Sequence, residues 1–121
     1  MTNEFDTTYN NLVYDVLKNG SSKLDRTNIG TLSVFGRTLT FNISVFFPLL
    51  TTKKVFFKGV VEELLWMLRG ETNSNTLSNK NVKIWDANAS RQFLDDQGLH
   101  YKEGHLGPVY GHQWRHYNAK Y

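Results

Sequence analysis

"VEELLWMLRG", residues 61–70, sets two glutamates side by side in an apolar run. Its reading decides what kind of helix the chain is built around. Successive helical residues turn by about 100°, so with Val60 at zero, Val61, Leu64, Leu65 and Leu68 share a sector centred near ~70°. Glu62 and Arg69 fall together near ~190°, on the opposite side, and read as an ordinary solvated pair of helix positions. Glu63 falls near ~300°, between Trp66 and Met67, and so emerges from a bulky apolar flank. A carboxylate held against apolar surface is costly to ionise, and such groups are more frequent in active sites than in cores. The alternative is that the helix edge is open there and Glu63 is a surface residue. The pattern predicts a helix from Lys58 to Arg69 that stops at Gly70.

Composition bounds what such a helix can belong to. With 121 residues, 40% of them hydrophobic and 14% aromatic, the chain is globular and long enough to bury a core. No apolar run approaches the ~18 residues of a membrane span. The opening "MTNEFDTTYN" lacks the apolar region of a secretory signal. Zero cysteines remove disulfides, thiolate metal sites and a cysteine nucleophile from these residues. The net charge of +3 comes from Lys and Arg scattered from Lys18 to Lys120, with no cluster beyond Lys53-Lys54. That distribution fits a solvated surface or a small anionic ligand better than a nucleic-acid patch.

Outward from residues 61–70, "YNNLVYDVLKNG" places Tyr9, Leu12, Val13, Val16 and Leu17 at helical spacing and predicts a helix over 8–19, ended by Gly20. "SSKLDRTNIG" reads as a polar loop. "TLSVFGRTLTFNI" alternates, with a change of parity at Gly36, and predicts two strands with a tight turn or one bulged strand over 31–43. Pro48 keeps "FFPLLTTKK" extended. A short helix is expected near 74–79, and another after Ser90 as N-cap, closed by Gly98. "GHLGPVYGHQWRHYNAKY" opens as a loop and is expected to enter a strand near 109–117. Four histidines, His100, His105, His112 and His116, raise a metal reading. The His112–His116 pair lacks an acidic partner nearby, which argues against it.

Three stretches then stand out together: "DRTNIGTLSVFGRTLTFNI", "FPLLTTKK…EELLWMLRGETN" and "VKIWDAN…GHLGPVYGHQWRHY". In that order and spacing they resemble the N-terminal part of thymidylate synthase, from about Tyr9 to Tyr121. The insert between "WDANASRQFLDDQG" and "GHLGPVYG" resembles the longer, eukaryote-type version. The resemblance implies an α/β (α+β) chain of the two-layer thymidylate synthase fold, incomplete here, with residues 1–121 the N-terminal portion of one domain. It implies reductive methylation of dUMP to dTMP, with 5,10-methylenetetrahydrofolate as co-substrate and no metal. For a full-length member it implies a cytoplasmic homodimer, with no membrane or nucleic acid required.

Residue by residue, the resemblance gives Arg26 in "DRT" to the dUMP phosphate, a task suited to a planar, permanently charged guanidinium. By itself Arg26 reads more readily as a surface loop arginine than as a phosphate ligand. The family continues "TGTGT" where this chain has "TNIGT". Asn28 tolerates positive φ, whereas Ile29 suits a tight turn less well, so the departure bears on loop closure. Glu63 matches the family's active-site glutamate, which organises waters and proton transfers around the pyrimidine and the folate. Tyr110 in "GPVYG" matches a tyrosine beside the pyrimidine, and without the resemblance it is a buried Tyr bonded to backbone. Ile84, Trp85 and Asn88 in "IWDAN" match positions lining the folate site. Core packing also accounts for Trp85. Lys53 matches a basic residue near the folate's glutamyl tail, and is otherwise a solvated lysine.

In the family the nucleophilic cysteine comes later than these residues, as do the partner subunit's arginine pair and the asparagine that reads the uracil edge. The chain is therefore expected to be a portion of a synthase, catalytically silent alone because no residue here replaces a thiolate. Two other readings stand beside it: a pyrimidine hydroxymethylase of the same superfamily, and a non-catalytic binding remnant.

Overall fold

The protein is described by a computed structural model covering residues 3–25 and 28–121. It divides into two compact units, one ending at Val55 and the other running from Phe56 to Tyr121.

In the first unit, helix α1 spans Glu4–Asn19. It begins earlier than the apolar periodicity predicts because its start is set by a cap: the Asn3 side chain accepts from Asp6 N at 2.7 Å. Glu4 and Asp6 in the first turn and Lys18 in the last complement the helix dipole. Gly20 ends the helix as expected, its N–H bonding Val16 O at 2.8 Å. Asp6 is only 1% exposed. Its carboxylate accepts from Thr51 N at 2.9 Å and from the Thr51 hydroxyl, tying the "PLLTTKK" segment to the helix start. Phe41 packs edge-on to Phe5 at 4.8 Å and lies 6.3 Å from Phe46.

The sheet differs from the expectation for 31–43. β1 (Ser21–Lys23) pairs antiparallel with β2 (Thr31–Ser33) in the register Ser21↔Ser33, Ser22↔Leu32, Lys23↔Thr31. Half of the hairpin thus comes from the stretch read as a polar loop. Beyond Ser33 the ladder ends: Phe35 is fully exposed and Gly36 turns at φ 47°. Of the alternating Leu39, Phe41 and Ile43, none lies in a strand; Phe41 packs on other rings and Ile43 is exposed. Period-two patterning shows which residues can sit on a pleat, but a strand also needs a partner. Asn28 does take the left-handed conformation, at φ 59°, two residues before Gly30 at φ 84°.

In the second unit, α2 (Phe57–Leu68) matches its predicted bounds closely, and Gly70 follows at φ 73°. α3 (Asn75–Ser78), a 3-10 turn (Ala87–Ala89) and α4 (Arg91–Asp96) come next. Ser90 caps α4 by accepting from Phe93 N at 3.2 Å. Trp66, Leu77 and Val82 form the core, with Met67, Trp85, Leu106 and Val109 packed against it.

The strand expected near 109–117 is a helix, α5 (Tyr110–His116). Packing against α2 overrides the local punctuation. Gly111 is buried there, and a Cβ on it would stand 2.2 Å from Glu71 O, so a glycine inside this helix is what the close approach requires. No helix among the described residues is long and apolar enough to cross a membrane. The mixture of helices and a small sheet agrees with the α/β class.

Candidate functional site

α2 separates its two glutamates. Glu62 receives Lys80 Nζ at 2.6 Å, and this hydrogen-bonded ion pair holds its carboxyl below the usual range. Glu63 is half-buried, and Oε1 accepts the Trp85 indole N–H at 2.8 Å.

Around Glu63 lies an apolar groove of about 270 Å³, lined with Phe56, Gly59, Val60 and Ile84. Phe56, Val60 and Glu63 follow the i, i+4, i+7 spacing that puts residues along one helix face. Gly59 opens room for the Phe56 ring, because a Cβ there would meet ring carbons at 2.5 Å. The Trp85 ring lies between two others: Trp66 at 6.5 Å and 27°, and Tyr110 at 6.1 Å and 55°. Tyr110 is the first residue of α5, placed by the packing of Gly111 on the turn after α2.

The structure thus brings Glu63, Ile84, Trp85 and Tyr110 into one neighbourhood. Asn88 sits exposed on the 3-10 turn and does not line the groove. Lys53 is an exposed residue of the first unit, two positions after the Thr51 that Asp6 holds. Arg26 lies outside the described residues. Phe56, Gly59 and Val60 are groove residues that the sequence reading did not single out. Their heptad-like spacing to Glu63 was the available signal.

His112 and His116 lie one turn apart on α5, with ring centroids 5.9 Å apart. His112 is buried, with Nε2 3.2 Å from Ala119 O. Among the described residues no group of three His, Cys, Asp or Glu gathers as metal ligands would.

A half-buried carboxylate fixed by an indole at the wall of an apolar, aromatic groove is the construction of a small-molecule site with one proton-handling group. Comparison with known proteins gives the family of the chain. The sequence matches the thymidylate synthase family over residues 7–121, and the chain belongs to that family. It is 55% identical over 114 residues to the bifunctional dihydrofolate reductase-thymidylate synthase of Plasmodium chabaudi, covering 93% of this chain and 20% of that protein. It is 58% identical over 114 residues to the Paramecium tetraurelia protein of the same description, covering 93% of this chain and 25% of that one. For the Zea mays protein the identity is 56%, covering 93% and 22%. The chain thus spans about a fifth to a quarter of the length of these curated relatives.

Proposed function

We propose that this chain contributes the folate-side wall and the proton-handling carboxylate of a thymidylate synthase, which converts dUMP to dTMP with 5,10-methylenetetrahydrofolate. The observation that carries the reading is the Glu63–Trp85 hydrogen bond at the edge of the groove. A carboxylate accepting one charge-assisted bond keeps its other oxygen for a water or a ring atom. Placed beside apolar surface, it can order the proton transfers of a reaction that joins and then splits pyrimidine and folate. The folate supplies the one-carbon unit and then a hydride, leaving as dihydrofolate.

In this reading Phe56, Ile84 and Trp85 offer flat apolar surface to the pterin, and Tyr110 stands by the pyrimidine. Arg26 takes the dUMP phosphate, Lys53 the glutamyl tail, and Asn88 a pterin edge. The 121 residues hold no cysteine, so the attacking thiolate is supplied by residues other than these. We place residues 1–121 within a single synthase domain that works as a cytoplasmic homodimer.

The test exchanges the 114-residue matching stretch of the Zea mays protein for this one and assays dTMP formation from dUMP and methylenetetrahydrofolate. The reading expects an active chimera, and no dTMP from the 121-residue chain alone. A folded, dUMP-binding chimera that makes no dTMP would refute it, and so would hydroxymethylated product in place of dTMP.

A further inference from the structure

We propose that Trp66, a fully buried residue outside the groove, is a positioning residue for Glu63: its own N–H anchors it to the Asn73 carbonyl, and its ring sets the tilt of the Trp85 indole that donates to Glu63. The inference rests on the functional reading of Glu63 given above.

Trp66 is 0% exposed, and its indole N–H must find a partner in the core. It donates to Asn73 O at 3.0 Å. That carbonyl belongs to a turn fixed from several sides. Leu106 N bonds Thr72 O at 3.0 Å, Asn75 N bonds Asn73 Oδ1 at 2.9 Å, and Asn73 Nδ2 lies 3.1 Å from His105 Nε2. Trp66 therefore hangs from a fixed point.

Trp66 and Glu63 stand three residues apart on α2, so the helix itself sets ring and carboxylate side by side. Trp85 closes the circuit, lying against the Trp66 ring and donating its single N–H to Glu63. The direction of that N–H follows the ring plane, and a hydrogen bond weakens steeply off line. A Trp66 ring freed to tilt would let Trp85 tilt with it, and Glu63 would lose its fixed partner.

The test uses the chimeric enzyme described above, with the numbering of this chain kept and indole nitrogens labelled. Trp66 is replaced by benzothienylalanine, which keeps the bicyclic shape but carries sulfur where the N–H was. Trp66→Phe serves as a second variant. The proposal expects the Trp85 N–H resonance of the analogue to move upfield and its solvent exchange to quicken about tenfold as the bond loosens. It expects kcat to fall about ten- to hundredfold, with the KM for dUMP unchanged. Adding either Trp66 change to Glu63→Gln should cost little more, because both act on one interaction. A folded analogue with unchanged Trp85 resonance or unchanged kcat overturns the relay, and so do losses that multiply independently. A Glu63→Gln enzyme with full kcat would instead refute the reading of Glu63 itself.

Discussion

The two faces of α2 carry similar amounts of apolar side chain and meet opposite fates. On one face Trp66 is fully buried, Met67 packs against the core, and Glu63 is held by Trp85. On the other, Val61, Leu64, Leu65 and Leu68 are between 38% and 46% exposed. Hydrophobicity alone would have reversed them, since the exposed sector is the more uniformly apolar. Burial here follows the rings and turns that converge on the helix: Trp85, Leu106 and Val109. The carboxylate therefore sits on the closed side, where a fixed hydrogen bond controls it. A continuous exposed aliphatic strip is association-prone surface.

The contrast breaks most visibly if the two neighbouring glutamates behave alike. In the chimeric enzyme Glu63→Gln should lower kcat by ~10²–10⁴-fold, the usual worth of general acid–base groups. Glu62→Gln should change it little, and equal losses would erase the distinction. Next in size is stability. Trp66→Ala should cost about 3–5 kcal/mol in denaturant unfolding, the range for removing a fully buried aromatic. Leu64→Ala, on the exposed face, should stay within about 0.5 kcal/mol. Similar values for the pair would mean that the aliphatic face is covered in solution.

Arg26 sharpens the comparison from outside α2. Arg26→Ala should weaken dUMP binding by about 1.5–3 kcal/mol, the worth of a charge-assisted contact, and barely alter folate-analogue binding. An unchanged dUMP titration would assign Arg26 to the surface. The smallest effect belongs to Glu62. Its carboxyl is held below the usual range, first by the Lys80 hydrogen bond, so its contribution is present above the ordinary glutamate value. That contribution fades as the pH falls through the lowered value. Lys80→Met should therefore reduce stability slightly at neutral pH, and the gap from the parent should close in acid. Being partly exposed, the pair should also weaken with salt. A gap that persists in acid would show that Lys80 acts through packing.

Much of this was legible beforehand, and the failures have physical causes. The bounds of α2, the Ser90 cap and the different settings of Glu62 and Glu63 follow from helical geometry and cap chemistry, which are local. β1 was missed because "SSK" carries no apolar signal and becomes a strand only by pairing with Thr31–Ser33. α5 was misread because Gly111 signals a break locally, while in the fold it allows close approach to the turn after α2. The site divides along the same line. Ile84 and Trp85 from one segment meet Glu63, Tyr110 from another meets Trp85, and their motifs marked all three. The spacing of Phe56 to Glu63 was a signal, but the Phe56 ring lying over the missing Cβ of Gly59 shows only in the fold.

The most direct test of the account is a crystal structure of the chimeric enzyme with dUMP and a folate analogue bound. The account predicts the analogue's flat ring in the groove against Phe56 and Ile84. It predicts a Glu63 oxygen within ~3.2 Å of a ligand atom or of one bridging water. Trp85 should still donate to the other oxygen, and Glu62 should remain on Lys80. Ligands bound elsewhere, with Glu63 turned away from them into solvent, would contradict it.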